Sequence, residues 1–427
     1  MGIFKALLVI HVFLFLSCNP RISYEVTEFE DLPDIPVPVT PLPQTETPQT
    51  DPPQREMPVS RYSTIDLTFL GDLMAHTPNF RMIDYARIYS RLGSILLDDC
   101  LTFVNLETVL DPGKPYATYP RFNVHEPYVW AAIEAGVDVF SLANNHTNDH
   151  GLESSFKTLD SMRNLRTQLV QHHPDRPGLW WSGIRDEVGQ PFRVTSIEHR
   201  GWNIGFISMT HFLNDYSGSQ GVYLVPFWDQ PAQEAFLNLV ERESPHYDLF
   251  IVAYHGGNEY VLEPPGYVQR FLDRLYRAGA HIVWGHHPHV IQPWQLQYDP
   301  DGHYITGLIM PSMGNFISGQ TSRLGPDDHS IMRAYTGDSV ILQVRGVKDT
   351  MTNKVFLEFP RVHYISTHNT NGETHIRFLK ELIHELDGPW QHFFSVRYQA
   401  MEDLTRQAQT LPLFYARALA ARYSLEE

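Results

Sequence analysis

Cysteine is nearly missing from this sequence: Cys18 and Cys100 are the only two among 427 residues. Two cannot build a disulfide framework, and without a cysteine cluster there is no thiolate set for a structural zinc site. Cys100, among Leu96, Leu97, Leu101 and Phe103, reads as a buried position. Positive charge is also sparse. Lys and Arg number 32 against 49 Asp and Glu, for a formal net charge of −17, and no basic run appears. That balance argues against nucleic acid as a partner, and against any polyanion held by positive side chains. Long apolar runs are missing too. The best candidate, Ala6 to Leu16 after Lys5, contains His11 and is too short to span a bilayer as a stable helix. It has the length of a signal-peptide core. No internal repeat is found.

What the chain has in quantity is apolar side chains and histidine. Hydrophobic residues make up 42% of it, enough to fill a sizeable core, so the protein is not disordered. Many of its 22 histidines stand beside Asn, Asp or Gly.

The first 60 residues read as an address and a tether. The apolar stretch ends in Phe15-Leu16-Ser17-Cys18, which resembles a bacterial lipoprotein signal. That resemblance implies a signal peptide over residues 1–18, lipidation of Cys18, and an extracytoplasmic cell-envelope lipoprotein anchored to a membrane by its N-terminal lipid. Plain secretion and an uncleaved anchor are the alternatives, and both still place the body outside the cytoplasm. Residues 19–60 hold nine prolines from Pro33 to Pro58 among Thr, Gln and acids, with no apolar periodicity. Such a segment cannot bury enough surface to offset its ordering entropy, so a disordered tether is expected.

From Arg61 the pattern changes to that of an α/β domain, expected over residues 61–345. Strand-length apolar runs occur at Ile65–Leu70, Leu101–Leu106, Val137–Ala143, Ile204–Thr210, Leu249–Tyr254, Ile282–Trp284 and Gly307–Met310. Between them lie helical patterns at Tyr85–Leu97, Pro127–Ala135, Leu152–Leu165, Ala232–Glu243 and Tyr267–Ala278. This alternation argues for a largely parallel, covered sheet. Residues 346–427 are expected to form an extension: strands at Val355–Phe359 and Arg361–Ile365, then helices at Ile376–Leu386, Phe393–Gln409 and Pro412–Tyr423.

Polar residues follow the strand patterns in a regular way. Successive apolar runs end in Gly71-Asp72 with His76, in Asn105-Leu106-Glu107, and in Asn144-Asn145-His146 with Asp149. Later ones end in His255-Gly256-Gly257 with Glu259, in Gly285-His286-His287-Pro288-His289, and in Gly314-Asn315-Phe316. In open α/β sheets the carboxyl ends of the strands form the ligand crevice, so these groups can converge. Carboxylate, imidazole and amide oxygen together suit one or two divalent ions such as manganese, iron or zinc. Turn caps and hydrogen-bonded histidines are the alternative for each residue taken singly. His172-His173, in a loop with Pro174 and Pro177, are read as solvated, and Trp180, Trp181 and Trp202 as packing residues.

The ordered series from Gly71-Asp72-Leu73-Met74 to Gly314-Asn315-Phe316, with Asn144-Asn145-His146 and Gly285-His286-His287-Pro288-His289 between, resembles the capsule-synthesis protein CapA family over roughly Thr64 to Phe316. The resemblance implies a calcineurin-like metallophosphatase fold: a four-layer α/β/β/α sandwich, here with a mostly helical C-terminal appendage. It also implies a part in synthesis or export of a poly-γ-glutamate capsule. Asp72, His76, Glu107, Asn145, His255, His286 and His289 would be the metal ligands, with Glu107 where a carboxylate bridges two ions. Asp72 and His146 would be the catalytic pair, His146 as general acid. Asn105, Asn144, Glu259 and Asn315 would contact substrate. Two departures stand out. His76 follows Asp72 by four residues where the phosphatase pattern has two, and Gly256-Gly257 replace the aromatic residue usual after the histidine, which widens or loosens the pocket.

Two functions follow. One is a metal-dependent hydrolase acting on a phosphoester or an envelope or capsule polymer; the other is a non-catalytic capsule-polymer factor that keeps the fold.

Overall fold

The computed structural model describes residues 61–409 apart from 359 and 371. The expected signal peptide, Cys18, the tether and the Pro412–Tyr423 helix lie outside the described residues. In chain order the elements begin β1 (Tyr62–Met74), α1 (Thr77–Phe80), α2 (Ala86–Tyr89), β2 (Leu101–Glu107), β3 (Val109–Leu110) and β4 (Asn123–Val124). They continue α3 (Glu126–Ala135), β5 (Val137–Ser141), α4 (Leu152–His172), β6 (Trp180–Ser182), β7 (Thr195–His199) and β8 (Trp202–Thr210). Next come α5 (Gln230–Glu243), β9 (Leu249–His255), α6 (Gly266–Arg277), β10 (Ile282–His286), β11 (Gln295–Tyr298) and β12 (Ile305–Met310). The last are α7 (Met332–Tyr335), β13 (Asp338–Asp349), β14 (Val355–Leu357), β15 (Arg361–Thr370), β16 (Glu373–Phe378), α8 (Leu379–Glu385) and α9 (Gly388–Gln409).

Strand alternation divides the apolar side chains into three cores. On β9, Leu249, Ile251 and Ala253 face one core while Phe250, Val252 and Tyr254 face another. The first core also takes Ile65, Leu67 and Phe69 of β1 and Trp284 of β10, so it lies between two sheet halves. Phe103 of β2 meets Phe206 of β8 across it, with ring centroids 5.6 Å apart. Outside one half, α3 and α4 cover Leu70, Val104 and Phe140; outside the other, α5 and α6 cover Phe250, Val252 and Val283. The order helix, sheet, sheet, helix is the four-layer sandwich. The halves are β6-β5-β2-β1-β13 and β14-β12-β10-β9-β8-β7, joined where β13 pairs with β14.

β13 carries the C-terminal segment into this frame. It runs antiparallel to β1 on one side and to β15 on the other, and the expected boundary at 345/346 falls inside it. Phe393, Phe394 and Met401 of α9 enter the core between the halves. Two expected helices come out differently. Tyr85–Leu97 is helical only over α2, because the chain turns at Ser90 and Gly93 takes φ +61°. Ile376–Phe378, read as the start of a helix, is strand β16, because pairing with β15 overrides the local pattern.

Arg397 of α9 is buried and donates through Nε to Asp338 Oδ2 of β13 at 3.0 Å. Burial pushes the Asp338 carboxyl up to about 6 despite this partner. Removing the guanidinium leaves a buried carboxylate alone, which costs about 3–5 kcal/mol. Arg397→Ala should lose that much in urea unfolding at neutral pH. Its unfolded carboxyl titrates near the ordinary value, so the folded state holds the extra proton and the deficit should widen as pH rises above 6. An unchanged midpoint at pH 8 would contradict this anchoring of α9.

Candidate metal centre

Four strands end at one place. Parallel pairing sets Met74 of β1 beside Glu107 of β2, and His255 of β9 beside His286 of β10. The loop after β12 closes over β1: Asp72 N donates to Gly314 O at 3.0 Å and Ile317 N to Asp72 O at 3.0 Å. A Cβ at residue 71 would lie 2.0 Å from Gly314 O, so only glycine lets the two backbones approach this closely.

The approach gathers Asp72, Glu107, His255, His286 and His289, all buried. Asp72 Oδ1 lies 2.9 Å from His286 Nδ1, and Asp72 Oδ2 lies 3.2 Å from His289 Nδ1. Glu107 Oε1 is 3.7 Å from His289 Nε2 and 3.9 Å from His255 Nε2. Glu107 belongs to two groups whose donor atoms all lie within 4.8 Å of one another, one with Asp72 and His255, the other with His287 and His289. Donor atoms sharing an ion at roughly 2.1 Å stand about 3 Å apart, close to these spacings.

The unpartnered atoms point the same way. Glu107 Oε1, Nε2 of His286 and Nδ1 of His287 are buried with no hydrogen bond. Buried polar atoms without partners are rare in proteins, and a divalent ion would satisfy these. His289 Nδ1 faces two acceptors, Asp72 Oδ2 and, at 3.0 Å, Asn315 Oδ1. It therefore carries the proton, which leaves Nε2 toward Glu107 as the ligating atom, the usual arrangement for a metal-bound histidine.

Burial raises the Asp72 carboxyl, but the imidazoles of His286 and His289 outweigh it and hold the group well below the usual range. Burial and then the Asp72 charge push Glu107 well above it. Burial presses His255 well down, with His287 adding to the effect. His289 goes the other way: burial opposes its charge, but Glu107 and Asp72 lift it to about 9. Two carboxylates in so small a volume cannot both be charged unless a cation sits with them.

The remaining candidates fall around this cluster. Asn145 Oδ1 is 2.7 Å from His255 Nε2, at the cluster's edge. Asn105 donates to Asp72 Oδ1 at 2.8 Å. Asn144 braces its own turn, donating to Leu106 O and accepting from His146 N. Asn315 also donates to Gln320 Oε1 and to Thr336 O. His146 Nδ1 is 2.7 Å from Asp149 Oδ2, which also accepts from Phe122 N, so the ring is held in place. His76 is in neither donor group; burial and the charges of His289 and His146 press its pKa down to about 3. Glu259 is exposed at the rim.

Sequence reasoning missed two residues. His287 joins a donor group because φ +98° turns it back toward its neighbours, a rotation that strand alternation does not predict. Asn214 donates to the His146 ring and accepts from Asn145 Nδ2. It follows β8 with no motif around it. Beside the cluster opens a cleft of about 1150 Å³ lined in part by His76, Tyr260, Gln320 and Thr336.

The family model of the bacterial capsule synthesis protein PGA_cap matches residues 66–320, which span every element of this centre. The chain belongs to that family. Among PGA_cap relatives, capsule biosynthesis protein CapA of Bacillus anthracis is 26% identical over 267 residues, 60% of each chain. PGA biosynthesis protein CapA of Bacillus subtilis (strain 168) is 32% identical over 182 residues, 43% of each. The chain thus spans about half the length of these curated relatives. Among solved structures, a novel phosphatase of Mycoplasma pneumoniae aligns over 73% of this chain and 96% of its own at 16% identity and a TM-score of 0.43. A putative 5'-nucleotidase of Staphylococcus aureus aligns over 78% and 58% at 14% identity and 0.39.

An ion that binds only the folded protein stabilises it by mass action, by about 2.7 kcal/mol at one hundred times its dissociation constant. Manganese added to chelator-treated protein should raise the melting temperature accordingly, and Glu107→Ala, which removes the donor common to both groups, should abolish most of the rise. Equal melting temperatures with and without ion in the wild type would remove the metal assignment.

Proposed function

We propose that this protein is a metal-dependent hydrolase of the cell envelope, acting on a phosphoester or on an amide of an envelope or capsule polymer such as poly-γ-glutamate. Attachment through an acylated Cys18 belongs to the same reading. The observation that carries it is Glu107 common to two buried donor groups, with a braced histidine close by. A divalent ion held there would supply Lewis acidity toward a phosphoryl or carbonyl oxygen and toward water. Asp72, Glu107, His255, His286 and His289 would hold it, with Asn145 at the edge and His287 as an added donor. Asp149 engages His146 Nδ1, which leaves Nε2 to hand a proton to the leaving group.

The second reading is a non-catalytic factor in capsule-polymer synthesis or export. It is favoured by the names of the two relatives, both given for biosynthesis.

Positioned acid catalysis contributes about 10²–10⁴ in rate. His146→Ala should lose roughly that factor on an alkyl phosphodiester or a γ-glutamyl amide while retaining its metal by elemental analysis. The loss should shrink for a nitrophenyl ester, whose leaving group barely needs a proton. Metal-loaded wild type that turns over none of these substrates would leave the second reading in place.

A further inference from the structure

β15 has an open edge at Val362, and a cavity lies against it. Along Arg361–Ser366 the strand pairs with β13, but β16 joins its other side only from Ile365. Thr367 N donates to Gly337 O, and bonded positions alternate in an antiparallel pair, so Arg361 and His363 bond to β13 while Val362 turns its N–H and C=O outward. No other described residue meets that main-chain pair. The cavity, about 720 Å³, is lined by four consecutive residues of the strand, Arg361 to Tyr364. Successive strand side chains point to opposite faces, so a cavity that touches all four lies along the edge and not above one face.

This place is separate from the metal centre. Asp66 of β1 lines it, six residues before Asp72, which is roughly 20 Å along a strand. Most of its lining comes from β13, β15, α8 and α9, beyond residue 320 where the family match ends. The two sides of the edge differ. Leu92, Ile95 and Phe378 belong to the core under α3 and α4, whereas Tyr398 packs on the core between the sheet halves. Lys380 Nζ stands 5.6 Å from the Tyr398 ring.

The acids of the lining already have partners. Asp66 takes Arg345, Asp98 takes Ser94, and Asp99 takes Thr102. Burial and then Asp138 also hold the Asp99 carboxyl well above the usual range. Glu381 lies 3.8 Å from Arg377. Arg361 and Lys380, by contrast, meet no carboxylate among the described residues. Both stand near His363, whose pKa they lower after burial does.

We propose that this edge binds an extended segment of a partner protein, in which apolar and acidic side chains alternate, as an added strand beside Val362. An outward N–H and C=O on a strand suit another strand, and main-chain bonds then supply affinity while alternate side chains supply selectivity. The apolar side chains would lie against Leu92, Ile95 and Phe378, and the acidic ones toward Lys380 and Arg361. The inference does not rest on the hydrolase reading.

The test is fluorescence anisotropy of the full chain with a labelled hexapeptide of alternating valine and glutamate. Hexaglutamate and two N-methylated forms of the parent peptide are compared, one methylated on the valine nitrogens and the other on the glutamate nitrogens. The parent should bind saturably and roughly tenfold or more tightly than hexaglutamate, through the apolar side chains it buries. Only every second residue of a guest strand bonds to the edge. One methylated form should therefore bind roughly tenfold more weakly, and the other as the parent does. Arg361→Glu with Lys380→Glu should weaken the parent roughly tenfold by turning attraction into repulsion, and should favour a valine–lysine hexapeptide. The methylated peptides need no variant, so they decide the pairing whatever the double substitution does to folding. Absence of saturable binding, or equal affinity of the two methylated forms, would overturn the added strand. Hexaglutamate binding as tightly as the parent would overturn the alternating pattern.

Discussion

Asp72 and Glu107 are carboxylates with no exposure, placed in one cluster where neither has a lysine or arginine partner among the described residues. A lone buried carboxylate costs several kcal/mol, and two side by side cost more. Imidazoles offset part of this, and His289 takes on positive character as a result. The donor atoms left without hydrogen bonds show that the offset is incomplete. A divalent cation would complete it, and the buried donor groups of the cluster are arranged so that they could hold one.

The scaffold that holds them is set by strand alternation. Trp284 sits between the sheet halves against Phe69 and Phe103, and its Nε1 donates to Leu70 O at 2.9 Å, tying β10 to β1. Two residues on, the His286 ring stands edge-on to the same indole, with centroids 4.2 Å apart. The apolar core thus fixes the direction of a candidate ligand. Where the two halves join, β13 and α9 close the core with Arg397 buried against Asp338.

Much of this was legible in the sequence because strands buried on both faces read as continuous apolar runs, and the polar residue ending each run must face the crevice. Asp72, Glu107, His255 and His286, which the structure brings together, are candidates read that way. His289 needed the loop conformation that its φ of +57° supplies, although its motif marked it. His287 and Asn214 were not legible, because one depends on a backbone rotation and the other on a loop packed from 69 residues away. The helix expected at Tyr85–Leu97 and the one expected from Ile376 failed for want of tertiary information: a turn at Ser90 and Gly93 in the first case, pairing with β15 in the second. Net charge says nothing of place: the chain as a whole is acidic, yet folding brings Arg81, Arg323 and Arg333 to one cleft.

The most direct test of the account is a crystal structure of manganese-loaded protein with an anomalous difference map. The account predicts one or two peaks among Asp72, Glu107, His255, His286, His287 and His289, with a Glu107 oxygen as a ligand. A map with no peak in this cluster, or a peak that Glu107 does not touch, would contradict it.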